Sequence, residues 1–335
     1  MNRRPTIIDV ARAAGVSKST VARVVSGEPA PVREATRRRV LEAVEQLGYA
    51  PNAIAGSLRS DRTYMLALSI PDITNPFWPE VARGVQDAIE AEGYAVVLLN
   101  NDWNAAREHK HLQMMRRNQF DGLIINPTGT VNDDLTALHI PVVVLGSEGY
   151  PDFDTVGSDT LQAGRLALDH LLALGHRRIA FIAGPPRRPK TRTQSDNYRH
   201  ILGEHGLPFD PDLLVQAEFT QEGGFGAMAR LIALPHPPTA VFAANDIIAL
   251  GALRAAQQAG LRVPEQLSII GVDDIYAAAT TFPPLTTIAK PKYDIGATAA
   301  RYLLERIAEQ ADGPARHQRL PCQLIARGST ARPPV

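Results

Sequence analysis

The chain has 335 residues, of which 44% are apolar, enough for two or three domains with full cores. Its 35 Lys and Arg balance its 35 Asp and Glu, but unevenly. Residues 1–62 carry eleven basic side chains and six acidic ones, so a head of net +5 precedes a remainder of net −5. A lone cysteine, Cys322, excludes an internal disulfide and a Cys-based metal centre, and the nine histidines form no HExxH grouping. No run approaches the eighteen apolar residues of a membrane span, and the opening MNRRPTIIDV lacks the apolar stretch of a secretory signal. The expectation is a soluble, cytoplasmic protein whose basic head alone meets phosphates.

Residues 7–25, IIDVARAAGVSKSTVARVV, read as helix, tight turn, helix. Ile8, Val10, Ala11 and Ala14 are expected on the inner face of the first helix, with small Ala11 where the two cross. Gly15 stands where a turn asks for positive φ. Val16 fills the turn from below, and Ser17 is placed to cap the second helix. Val21 and Val24, three apart, face inward. Lys18, Ser19, Ala22 and Arg23 are left pointing outward, the pattern of a helix built to enter a DNA major groove. After a loop, residues 32–47 read as a third helix with Val40, Leu41, Val44 and Leu47 on its apolar face. The stretch PNAIAGSLRS (51–60) begins with proline and is too short to hold a helix alone in water; it is a linker or a segment that folds on docking.

From residue 63 the pattern changes to apolar runs alternating with amphipathic helices: YMLALSI (64–70), YAVVLLN (94–100), GLIINP (122–127), VVVLG (142–146), RIAFIAG (178–184), LLVQA (213–217), AVFAA (240–244) and LSIIGV (267–272). Strands apolar throughout and separated by helices indicate parallel sheets covered on both faces. More than 250 residues of this exceed one doubly wound sheet, so two α/β subdomains are expected. Ligands of such sheets sit at the carboxyl ends of the strands, where this chain turns polar: Pro71–Asn75, Asn126–Pro127, Gly184–Pro185, Ala244–Asp246 and Val272–Asp274. The closing ARGSTARPPV reads as a frayed terminus.

Enzyme signatures are missing. There is no Walker phosphate loop. GGFG (223–226) lacks the spacing and the preceding strand of a dinucleotide site. VGSDT (156–160) is not a nucleophile elbow, because glycine does not flank Ser158 on both sides. Asp159, Asp246, Asp273 and Asp274 lie at different strand ends, where hydrogen bonding to ligand hydroxyls accounts for them as well as acid–base catalysis or a metal does. No enzymatic activity and no cofactor are expected.

The chain resembles the LacI/GalR family of bacterial transcription regulators over nearly its whole length. The resemblance is carried by TIIDVARAAGVSKSTVARVVSG (6–27), PNAIAGSLRS, GHRRIAFIAGP (175–185), FAANDIIALGAL (242–253), IIGVDD (269–274) and PPLTTIAKP (283–291), in that order. It implies an all-α helix-turn-helix head (1–50), a hinge (51–62) and a core (63–335) like that of periplasmic sugar-binding proteins. The core's N-subdomain would cover about 63–160 and 291–319, its C-subdomain about 161–290 and 320–332. It also implies palindromic operator DNA and a second copy of the chain as partners. By matching position, Lys18, Ser19 and Arg23 would read base edges, Ser17, Thr20 and Asn52 would touch phosphates, and Leu58 would wedge into the minor groove. Gly56 departs from the longer polar side chain usual in that hinge and weakens a helix there by about 1 kcal/mol.

For the effector the resemblance implies Phe77 and Trp78 as adjacent exposed rings, Asp159 at the subdomain junction, and Phe219 facing from the other side. Asn245 and Asp273 would hydrogen-bond the ligand and Lys290 would line the cleft, while Asp246 is read as the cap of the following helix. A frequent family arginine is replaced by Gln194, whereas PPRRPKTRTQ (185–194) is loaded with Arg188, Lys190 and Arg192. A sugar, sugar acid or sugar phosphate is therefore the expected effector, and a transcriptional repressor the expected function. The alternative is a transport-type solute-binding protein sharing the core.

Overall fold

The computed structural model describes residues 5–25, 32–49, 62–146, 149–185, 194–311 and 313–334. The chain divides into two compact units, 1–63 and 64–335.

The first unit holds helices α1 (Ile7–Ala14), α2 (Lys18–Val25) and α3 (Glu34–Leu47). The Asp9 carboxylate accepts the Thr6 N–H at 2.9 Å and starts α1, while Gly15, at φ 63°, ends it. Val10, Ala11, Ala14, Val21, Val24, Val40 and Ala43 make the core. Two expectations fail by one residue of register. Ile8 is 54% exposed and Leu41 49% exposed. The inward stripe of α1 runs through positions 7, 10, 11 and 14, and that of α3 through 40, 43, 44 and 47, so a residue one step off either stripe turns to solvent.

The second unit contains two six-stranded sheets. Strands β1 (Met65–Ile70), β2 (Ala95–Asn100), β3 (Gly122–Ile125), β4 (Val142–Leu145), β5 (Asp154–Ser158) and β11 (His317–Leu320) form the first, ordered β11-β5-β4-β3-β1-β2 and parallel throughout. Strands β6 (Ile179–Ala183), β7 (Leu214–Gln216), β8 (Ala240–Ala243), β9 (Ser268–Asp273), β10 (Thr286–Ala289) and β12 (Gln323–Ile325) form the second, ordered β12-β10-β9-β8-β6-β7; only β12 is antiparallel. Both sheets reverse direction beside their first strand, between β1 and β3 and between β6 and β8. These are the points where doubly wound sheets open a crevice. Central strands β3, β4, β6, β8 and β9 are buried at every position, as the unbroken apolar runs of the first four require.

The first lobe is covered by α4 (Phe77–Glu90), α5 (Ala105–Arg117), the short α6 (Asn132–Thr136) and α12 (Lys292–Ile307). The second carries α7 (Thr160–Ala173), α8 (Gln194–Glu204), α9 (Gln221–Ile232), α10 (Asp246–Gln258) and α11 (Tyr276–Thr280). The chain passes between lobes three times, from β5 to α7, from β10 to α12, and from β11 to β12. In each lobe one helix pair crosses on glycine. A methyl on Gly296 would lie 2.0 Å from the Val81 carbonyl, and one on Gly251 would lie 2.0 Å from that of Gln221. GGFG (223–226) belongs to the second crossing, where Gly224 packs against Ile248.

Two features went unread in the sequence. Residues 328–331 are anchored rather than frayed. Ser329 is fully buried and its hydroxyl donates to the Ile269 carbonyl at 2.6 Å. Nε2 of His176 lies 2.9 Å from the Ala331 carbonyl. The main-chain groups of this tail find their partners inside the second lobe, which fixes it. The other feature is Asp154, at the start of β5, which ties three segments of the first lobe together. It accepts hydrogen bonds from Arg306 of α12 at 2.8 and 3.0 Å and from Arg316, just before β11, at 2.6 and 3.2 Å. Among the described residues no helix is long and apolar enough to cross a membrane.

Candidate functional site

In the head, the Ser17 hydroxyl accepts the Thr20 N–H at 3.1 Å and caps α2. It also lies 2.8 Å from the hydroxyls of Ser19 and Thr20. Val21 and Val24 are buried, which turns Lys18, Ser19 and Arg23 to the exposed side of the helix. The free N–H groups at the start of α2 and the two cations give this face a positive potential suited to phosphate. Asn52 and Leu58 lie outside the described residues.

The second candidate site is the cleft where strand ends of both lobes meet. Phe77 begins α4 and is half-buried; its N–H donates to the Asn75 side chain at 3.0 Å. Trp78 corrects an expectation: it is 7% exposed and belongs to the core of the first lobe. Positions 78, 81, 85 and 89 share one face of α4, and that face meets the sheet. Its ring supports Phe77 edge-on at 4.9 Å.

Lys290 lies in the second crossing. Its Nζ is 2.9 Å from an Asp273 carboxylate oxygen and 5.4 Å from the centre of the Phe77 ring. Burial would depress the Lys290 pKa, but the adjacent Asp273 carboxylate more than offsets it and keeps the ammonium charged. Asp273 and Asp274 both have positive φ, 113° and 55°, a strained turn at the end of β9. Lys292, 6% exposed at the start of α12, locks that turn from the first lobe by donating to the Asp273 and Asp274 carbonyls, each at 2.7 Å, and lies 3.5 Å from Glu80 of its own lobe. The sequence offered no means of telling Lys292 from Lys290 in the run KPK.

Asp246 is also corrected. The cap of α10 is Asn245, whose side-chain oxygen accepts the Ile248 N–H at 2.9 Å. Asp246, one residue on, is fully buried; it accepts the Thr287 hydroxyl at 2.6 Å and the Ile275 N–H at 2.9 Å. Burial, reinforced by the Asp273 charge, pushes its carboxyl up to about 7. It braces the second lobe from beneath the cleft. Asp159 caps α7 through the Gln162 N–H at 3.0 Å. Its own N–H donates to Leu320, joining the first and third crossings at 3.1 Å. Gln194 opens α8, with Nε2 3.5 Å from the Ala244 carbonyl. Arg188, Lys190 and Arg192 lie outside the described residues.

Phe219 rests on Gly184, where a methyl would come within 2.1 Å of its ring. From the opposite lobe Trp103 stacks on it, centroids 5.4 Å apart and planes 25° from parallel. Trp103 was not anticipated, although an aromatic in the polar NNDWN after β2 was a readable signal. It follows Asp102 in a second left-handed conformation, φ 49° and 57°. Its N–H is held by the Pro71 carbonyl and the Asn101 side chain. Asn101 in turn donates to Glu108, a fully buried carboxylate that also accepts the N–H groups of Thr128, Gly129 and Thr130. The arrangement is a two-jawed cavity with aromatic faces from both lobes and an ion pair at the crossing. Among the described residues nothing in it sets a nucleophile against a base, and no cluster of metal-ligating side chains occurs.

Residues 6–52 match the family described as bacterial regulatory proteins, lacI family, and residues 168–330 match a periplasmic binding protein-like domain. The chain is 39% identical over 303 residues to catabolite control protein A of Priestia megaterium, covering 89% of this chain and 91% of that protein. It is similar to the crystal structure of the lac repressor dimer bound to operator and the anti-inducer ONPF, with TM-score 0.87, 28% identity, and coverage of 98% of this chain and 100% of that one. It is likewise similar to the complex of the transcriptional regulator CelR with cellobiose, at TM-score 0.72 and 32% identity, covering 97% and 100%. With a helix-turn-helix head and a two-lobed core that both match over nearly their full length, the chain belongs to the lacI family of bacterial regulatory proteins.

Proposed function

We propose that this protein is a transcriptional repressor that binds palindromic operator DNA and is controlled by a small polar effector held between the lobes of its core. Lys18, Ser19 and Arg23 read base edges, and Ser17, Thr20 and Asn52 meet the backbone. Leu58 enters the minor groove. Phe77, Asp159, Gln194, Phe219, Asn245, Asp273 and Lys290 surround the effector, and Arg188, Lys190 and Arg192 are placed by sequence to reach it; Trp78 acts only by backing Phe77. The effector works through its differential affinity for two arrangements of the lobes. One observation carries the reading: a single chain joins a helix exposing Lys18, Ser19 and Arg23 to a core whose strand ends gather Phe77, Asp273 and Lys290 into one cleft. A transport protein would share the cleft but has no use for the head.

Calorimetry with neutral and acidic sugars, paired with gel shifts on operator DNA, tests this. A sugar that binds the core is expected to change operator affinity at least tenfold, and binding without any change of operator affinity contradicts the switch. For the charge of the effector, the loaded loop favours an acid or a phosphate. Neutral-sugar binding that Arg188→Ala leaves unaltered would overturn that form of the reading.

The same proposal includes a homodimer, because a palindrome needs two heads. Tyr276 and Phe282 are 82% and 88% exposed, two large rings six residues apart on the second lobe. The Phe282 carbonyl is fixed by Gln257 at 2.7 Å, so the ring is presented outward. Phe282→Asp is expected to shift sedimentation from dimer toward monomer and to weaken operator binding in parallel, with the melting temperature of the core unchanged. A variant that sediments as wild type places the dimer contact elsewhere.

A further inference from the structure

In the second lobe a narrow pocket, with room for about one water-sized group, opens between α7, α8 and the strand ends, with Thr160, Gln194, Asn197, Phe242, Val272 and Lys290 in its wall. One group there is out of place. Asn197 is 4% exposed, and its side-chain Oδ1 is sealed from solvent without a hydrogen-bond partner among the described residues. Buried amide oxygens are almost always satisfied, since an unmet acceptor loses its hydration for nothing. Nor can the side chain easily escape. The next residue, Tyr198, pins this turn of α8 by donating its hydroxyl to the Ile179 carbonyl at 2.8 Å, with its ring stacked on Phe181 at 5.3 Å. The apolar walls, Phe242 and Val272, offer no donor from their side chains. Of the polar neighbours, Lys290 is engaged with Asp273 and Gln194 reaches toward Ala244, and the Thr160 hydroxyl makes no hydrogen bond to the Asn197 oxygen.

We propose that Asn197 is a specificity-determining residue of the effector site, its Oδ1 accepting a hydrogen bond from a hydroxyl or N–H of the bound molecule. The inference rests on the reading that the core holds an effector and adds what that effector must carry: a donor group on the end that enters the pocket beside Lys290. A ligand that placed an ether or a methyl group there would leave the oxygen unmet. Ligands lacking the donor are therefore rejected by the protein itself rather than by shape alone.

Two variants test this in the full-length protein. Asn197→Leu keeps the volume and removes the polar atoms. Without ligand it is expected to melt at or above the wild-type temperature, because it deletes an unmet acceptor. A fall of several degrees would show that the amide is already satisfied in the free protein and would overturn the proposal. In the second arm, D-ribose, D-glucose, cellobiose, gluconate and glucose 6-phosphate are screened for raising the wild-type melting temperature. The compound that does so is titrated into Asn197→Leu and Asn197→Asp. The leucine variant is expected to bind at least tenfold more weakly, with the aspartate variant, which keeps an acceptor, in between. Equal affinity in all three proteins would overturn the proposal. A wild-type melt that none of these compounds moves counts against the effector reading itself, and the ligand-free comparison then decides the role of Asn197 alone.

Discussion

Asp154→Ala is expected to destabilise the core by about 3 kcal/mol, the low end of the cost of breaking a buried ion pair, because the two cations left behind are only half-buried. For a unit of this size that lowers the melting temperature by roughly ten degrees. The side chain of Asp154 is 1% exposed, against 23% and 30% for those of Arg306 and Arg316, so the charges are held away from the water that weakens surface pairs. The loss would spread, because the Arg306 guanidinium also donates to the Ala311, Gly313 and Pro314 carbonyls and so shapes the approach to β11. Burial alone would raise the Asp154 pKa. The hydrogen bonds from the two arginines overcome this and hold it at about 2, below its ordinary 3.8. A carboxyl lowered on folding stabilises above its unfolded pKa. Its contribution, about 2 kcal/mol, is present at neutral pH and fades as pH falls from about 4 toward 2. Melts from pH 7 to 2.5 check this: the gap between wild type and Asp154→Ala should narrow at the acid end, and a gap independent of pH would contradict the assignment.

Arg23→Ala is expected to weaken binding to a specific operator by 10- to 100-fold, as a base contact worth about 1–3 kcal/mol requires. The core melt should stay at the wild-type value, because Arg23 is an exposed side chain of the separate first unit. Binding to unrelated DNA should fall much less, since that rests on phosphate contacts. Lys18→Ala gives the useful contrast. If Lys18 contacts phosphate rather than a base, affinity falls on all sequences alike and the salt dependence loses about one counterion. Equal losses on specific and unrelated DNA for Arg23→Ala would move Arg23 from base reading to backbone contact.

The elements were legible where local chemistry decides them. Gly15 announced its turn and Ser17 its cap. The greasy runs of β3, β4, β6 and β8 announced buried parallel strands because nothing polar interrupts them. Register was less legible. Ile8 and Leu41 are as apolar as their buried neighbours, and only the packing of three helices shows that the stripe passes beside them. The late strands β5, β10, β11 and β12 were unread for another reason: DTVGS, TTIA, HQRL and QLI are short and partly polar, and β11 and β12 pair with strands far away in sequence. The site shows the same division. Phe77, Phe219 and Lys290 stand on readable motifs. Trp103, Lys292 and Asn197 take their meaning from the opposite lobe, from the β9 turn and from a pocket wall, none of which is local. Asp246 was misread because two adjacent residues, Asn245 and Asp246, can both cap a helix. The neighbouring Gly271, which leaves space for the second carboxylate, decided between them.

The most direct test is selection of double-stranded DNA from a random pool by the full-length protein, followed by sequencing of the retained fraction. Enrichment of one palindromic sequence is expected, with the enrichment lost when the selecting protein carries Arg23→Ala. Retention of DNA with no sequence enriched over the starting pool, or an enriched motif that Arg23→Ala selects equally well, would contradict it.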